Sequence, residues 1–145
     1  MSPPATRLDD VAALDVATEI RAFEAGRIDP EQFDHAAHVR LVWCYLQLFP
    51  VADTLVRFTS ALRALTERLG MPQKYHETIT WFFIIVIANR VAASASRNWE
   101  DFKRENADLI GNSSMLLKRH YSAGRLDSPD ARRRFVLPDL APGQS

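Results

Sequence analysis

Trp81-Phe82-Phe83-Ile84-Ile85-Val86-Ile87-Ala88 is the longest apolar run in the 145-residue chain, and the way it is read decides the fold. Crossing a bilayer takes roughly 20 apolar residues in a row, so this run is not expected to span a membrane. It reads as the middle of a buried helix. Upstream, Met71-Pro72-Gln73-Lys74 supplies a helix start, and the pattern continues through Tyr75-His76-Glu77-Thr78-Ile79-Thr80 and the apolar run to about Ala95. A helix that is apolar nearly all round has to be covered on every side, which makes this one central.

The remaining segments supply the cover. Val51 to Leu69 is amphipathic, with Leu55, Phe58, Leu62, Leu65 and Leu69 recurring every three or four residues opposite Arg57, Arg63, Glu67 and Arg68, and Gly70 suits its C-terminal end. His35 to Phe49 is apolar on most faces and is closed by Pro50, which cannot continue a helix. Asp9 to Ala25 places Leu8, Val11, Ala12, Val16, Ile20 and Phe23 at helical spacing before Gly26. Asp29-Pro30-Glu31-Gln32 has the arrangement of a capped start, and Asp34 offers a second cap. After the central helix, a short helix begins at Asn98 to Phe102, Asn106 to Gly111 reads as a turn, and Ser113 to Tyr121 is helical with Met115, Leu116 and Leu117 inward. Ser128-Pro129-Asp130 caps a last short helix over Ala131 to Phe135, and Val136 to Leu140 is extended along the body. The expected fold is therefore all-α: a single-domain bundle of about five to seven helices over 9–140, with an extended C-terminal tail and flexible ends at 1–8 and 141–145. No internal repeat is visible.

Composition narrows the function. With 47% hydrophobic and 25% charged residues the chain is an ordinary globular domain rather than a disordered one. Its formal net charge of zero removes the attraction that nucleic-acid binding proteins exploit, so no nucleic-acid partner is expected. The charge is uneven: residues 1–34 carry eight acids against three arginines, whereas Lys118, Arg119, Arg125 and Arg132-Arg133-Arg134 make the C-terminal third basic. The single cysteine, Cys44, lies in an apolar stretch and reads as a buried, inert thiol. Met1-Ser2-Pro3-Pro4-Ala5 lacks the basic and apolar parts of a secretory signal, so the cytoplasm is the default compartment.

The chemistry-bearing feature is a set of three histidines. His35 and His38 are three apart and share one helix face, with Cβ atoms roughly 5 to 6 Å apart. If the helices that start near His35, Val51 and Tyr75 pack up, down and up, the first and third begin at the same end and bring His76 to the pair. Three imidazoles with one open position form a catalytic type of metal site, and zinc, copper or iron would each accept nitrogen ligands. Around this expected metal set of His35, His38 and His76, Glu77 is the candidate general base and Tyr75 the candidate proton donor. Thr80, one turn after His76, and Arg132, on a short helix that could turn it inward, are candidate substrate contacts. His120 reads as a surface residue, and Trp43, Trp81, Phe82 and Phe83 as core. No His-Glu-x-x-His, Glu-x-x-His, Cys-x-x-Cys or glycine-rich phosphate motif is present, so no nucleotide or flavin is expected.

The segments Phe33-Asp34-His35-Ala36-Ala37-His38-Val39 with Trp43, Tyr75 to Thr80, Tyr121 to Ser128, Ala131-Arg132 and Phe135 to Leu140 resemble a family of small uncharacterised bacterial proteins, across about residues 20–140. The resemblance implies only that these segments belong together in one kind of protein. The leading expectation is a small bacterial enzyme of small-molecule or natural-product metabolism, with a three-histidine, metal-binding pocket for a small polar or carboxylate-bearing molecule. Two alternatives stand beside it. One is a metal-free acid–base enzyme using His76 and Glu77; the other is a helical interaction module, such as a homodimer, associating through its acidic and basic regions.

Overall fold

The computed structural model describes the backbone of residues 8–140 and side chains from Asp15 onward. The ends expected to be flexible, 1–8 and 141–145, lie outside the described residues except for the backbone of Leu8, as do the side chains of Leu8, Val11 and Ala12. Helix α1 (Leu8–Glu24) stops at Gly26, whose φ of +73° is left-handed and whose neighbours close the end with Arg27 N–H donating to the Ala22 carbonyl at 2.8 Å. The backbone conformation is what asks for glycine there; a Cβ would also meet the Arg68 guanidinium, but that is the end of a flexible, exposed side chain that can swing aside. Of the two caps seen in the sequence, Asp29 closes only a 3₁₀ turn at Pro30–Gln32. Asp34 accepts from Ala37 N–H at 2.9 Å and opens α2 (His35–Leu48).

Helix α3 (Val51–Arg68) follows Pro50 as expected, and Gly70 takes the left-handed position after it. The next start differs from the expectation. Pro72–Lys74 forms a separate 3₁₀ turn, Tyr75 and His76 are extended, and α4 (Glu77–Ala93) begins six residues after Met71. The reason is local: the His76 side chain accepts from Ile79 N–H at 3.2 Å and takes the place of an N-cap. The C-terminal third is also more helical than its pattern suggested. It contains α5 (Trp99–Glu105), α6 (Ala107–Gly111) where a turn was expected, α7 (Ser113–Lys118), α8 (Ala123–Asp127) and α9 (Pro129–Arg133). Among the described residues there are thus nine α-helices and no strand, four long helices making the bundle and five short ones wrapping it. No helix among them is long and apolar enough to cross a membrane.

The core joins Ile20 and Phe23 of α1, Val39 to Tyr45 of α2 apart from Arg40, Phe58, Leu62 and Leu65 of α3, and Phe82, Ile84 and Ile87 of α4. Trp43 and Phe82 are buried as expected, whereas Leu69 and Met115, expected inward, are exposed. Cys44 is fully buried; its thiol donates to Glu19, and burial together with that acceptor pushes it up to about 12.

The C-terminal tail is fastened to α4 and to itself. Thr78 is fully buried and its hydroxyl lies 2.7 Å from the Ala131 carbonyl and 2.9 Å from that of Arg134, while accepting from Val136 N–H at 3.1 Å. Tyr121 O–H donates to the Val136 carbonyl at 2.7 Å, Arg125 Nε–H to that of Leu137 at 2.7 Å, and Asp139 accepts from both the N–H and the hydroxyl of Ser122. Replacing Thr78 with Val keeps the volume but strands the buried Val136 N–H and removes the hydroxyl proton shared by the Ala131 and Arg134 carbonyls. Thr78→Val is expected to destabilise the protein by about 2 kcal/mol, measured by urea unfolding.

Candidate functional site

Because α2 and α4 begin at the same end of the bundle, His35, His38 and His76 line one cavity of about 460 Å³ between α2, α3 and α4. Its size is that of a small-molecule pocket. The walls are chiefly apolar, from Val39 and Val42 of α2, Phe58, Leu62 and Leu65 of α3, and Ile79, Phe83, Ile84 and Ile87 of α4. Lys74 and Asp34 line it as exposed groups at the rim, with Tyr75 and Thr80 also contributing.

The histidines share the cavity but not a task. His76 Nδ1 accepts from Ile79 N–H, and Nε2–H donates to the Leu126 carbonyl at 2.8 Å, so both ring nitrogens are engaged in holding the start of α4 and the α8 segment. His35 Nε2–H donates to the Leu109 carbonyl at 2.8 Å, tying α2 to α6, and its ring stands edge-on to Phe83 at 5.0 Å. A metal needs a bare lone pair from each imidazole, and His76 has none left to give. Among the described residues no group of three or more His, Cys, Asp or Glu side chains is arranged to hold a metal ion. The expected metal set of His35, His38 and His76 therefore does not fit zinc, copper or iron.

His38 is the exception among the three. No hydrogen bond engages its ring nitrogens, and since no fully enclosed side-chain nitrogen or oxygen lacks a partner among the described residues, these nitrogens keep some accessible surface on a residue that lines the cavity. The ring stacks on Phe33 with centroids 4.0 Å apart and meets Phe58 at 6.4 Å. Phe33 precedes the Asp34 cap and His38 sits in the next turn, so the pair occupies the positions of a hydrophobic staple. Burial is the main cause holding His38 down to about 4; the charge of His35 acts in the same direction and Asp34 opposes it.

The other expected site residues face elsewhere or are spent on structure. Glu77 is buried away from the cavity, where its carboxylate accepts from Arg63, from Tyr75 O–H and from Trp81 Nε1–H at 3.2 Å, so the expected general base is saturated by structural partners. Tyr75 keeps its ring on the cavity, but its hydroxyl is committed to Glu77 and its face is covered by the Arg63 guanidinium 4.9 Å away. Burial and Glu77 push that hydroxyl well above its ordinary range, a poor setting for a proton donor. Thr80 lines the cavity while its hydroxyl donates back to the His76 carbonyl at 2.7 Å. Arg132 is exposed and donates to the Gln73 carbonyl at 2.9 Å, outside this cavity. His120, expected at the surface, is half-buried against Phe82 and bonded to the Leu116 carbonyl.

Comparison with known protein families, characterised proteins and solved structures found no match.

The His38 shift has a consequence for stability. Between the ordinary value of 6.5 and about 4 the unfolded chain binds a proton that the folded chain does not, so the His38 contribution is fully present above about pH 6.5 and is lost as the pH falls toward 4. That contribution amounts to at most about 3 kcal/mol. Urea unfolding at a series of pH values is expected to show stability falling across this window in the parent protein and a flatter profile in His38→Phe.

Proposed function

We propose that this protein holds a small, mainly apolar molecule in the cavity between α2, α3 and α4, with His38 as its polar contact. The observation that supports this reading is the contrast inside the cavity. Apolar side chains make most of its wall, yet one imidazole keeps ring nitrogens without a protein partner. An apolar cavity of this kind gains by taking up an apolar molecule, and the few unengaged hydrogen-bonding groups in its wall select how that molecule lies.

His38 is where any acid–base chemistry on the bound molecule would fall, because its ring nitrogens are unengaged, and burial makes it a weak base there. The pair His76 and Glu77 does not offer that chemistry, since both are occupied by structural hydrogen bonds. Titration with naphthalene, followed by NMR at the methyl groups of Leu62, Leu65, Ile79 and Ile84, tests the pocket itself. Saturable one-site binding is expected, weakened by about tenfold or more in Ile79→Trp, whose indole takes up the space. Unsaturating shifts, or binding indifferent to Ile79→Trp, would rule the cavity out.

A further inference from the structure

We infer that the molecule held in this cavity is a phenol-type ligand, an aromatic ring bearing an uncharged hydroxyl, whose oxygen sits between the imidazoles of His38 and His35. The inference rests on the ligand-cavity reading above and names the ligand's chemical class.

Three observations converge on it. His35 and His38 are one turn apart on the same face of α2 and both line the cavity, so their rings can address one atom. With Nε2–H donated to Leu109, His35 in its imidazole form offers Nδ1 as an acceptor, and no hydrogen bond from the protein engages it. His38 is unrestrained at both nitrogens and can present an N–H. A hydroxyl is the small group that both donates and accepts at one oxygen, giving its proton to one ring and receiving an N–H from the other.

A carboxylate fits less well. It has no proton to give His35, and the cavity's interior supplies no cation: Lys74 lies exposed at the rim together with Asp34, whose charge opposes an anion. Desolvating a carboxylate among Phe33, Phe58 and Phe83 carries a penalty that a neutral hydroxyl avoids. The depressed basicity of His38 reports the same surroundings, which favour uncharged groups. The ring half of the ligand follows from the walls. Phe33 is stacked on His38, while Phe58 and Phe83 stand edge-on to His38 and His35, an arrangement that accepts a flat ring by offset and edge contacts.

Three probes of one shape separate the possibilities: 2-naphthol, naphthalene and 2-naphthoate, titrated at neutral pH into the full chain carrying ¹⁵N-labelled histidine. 2-Naphthol is expected to bind about tenfold more tightly than either of the others and to shift the ring nitrogens of His38 and His35. His38→Phe should reduce the preference for naphthol over naphthalene to near unity, and His38→Gln, which keeps a hydrogen-bonding group, should restore part of it. Naphthoate binding as tightly as naphthol, or naphthol binding no better than naphthalene, would overturn the phenol assignment while leaving the cavity reading intact. Failure of all three probes to saturate would remove both.

Discussion

His76 makes two hydrogen bonds that point in different directions, and most of the architecture depends on that pair. Nδ1 receives the Ile79 N–H and so fixes where the central helix begins, while Nε2–H reaches the Leu126 carbonyl and so holds the C-terminal wrapping segment over that beginning. A side chain in the N-cap role contributes about 1 kcal/mol. The second bond joins residues 50 apart in sequence, so it anchors a segment that is otherwise built only of short helices. Thr78, two residues on, repeats the device with the backbone of Ala131, Arg134 and Val136.

Delaying the helix start to Glu77 also shapes the cavity. The 3₁₀ turn at Pro72–Lys74 and the extended Tyr75 and His76 form part of its edge instead of another turn of helix, and the turn brings Lys74 to the rim. On the opposite side Glu77 gathers Arg63, Tyr75 and Trp81, which immobilises the Tyr75 ring as a wall. Structural hydrogen bonds thus consume most of the polar groups near this end of the bundle. What they leave for a ligand is concentrated on one face of α2, at His38 and the second nitrogen of His35.

The fold was legible where apolar periodicity runs long: the central run at Trp81 to Ala88, the stripe on α3, and the stops at Gly26, Pro50 and Gly70 all have direct physical readings. The meeting of the three histidines at one end was legible too, because it follows from helix order alone. Their individual roles were not. The partners of His35 and His76 are the backbone carbonyls of Leu109 and Leu126, 74 and 50 residues away, and a carbonyl carries no side-chain signature. Arg63 falls on the polar side of α3 by its spacing, and only tertiary packing pairs it with Glu77. Helices α6 and α8 are too short for periodicity to reveal them. The spacing of Phe33 and His38 around the Asp34 cap did hold a signal, since a staple at those positions places the imidazole against an aromatic ring before any tertiary contact is known.

The most direct test of this division of labour is a long-range ¹H–¹⁵N correlation spectrum of the histidine rings at neutral pH, recorded on protein without an affinity tag, before and after one equivalent of zinc. The account predicts that His76 carries its proton on Nε2 with Nδ1 as a hydrogen-bonded acceptor, and that zinc leaves the His35, His38 and His76 signals in place. A proton on Nδ1 of His76, or stoichiometric zinc moving all three rings together, would contradict it.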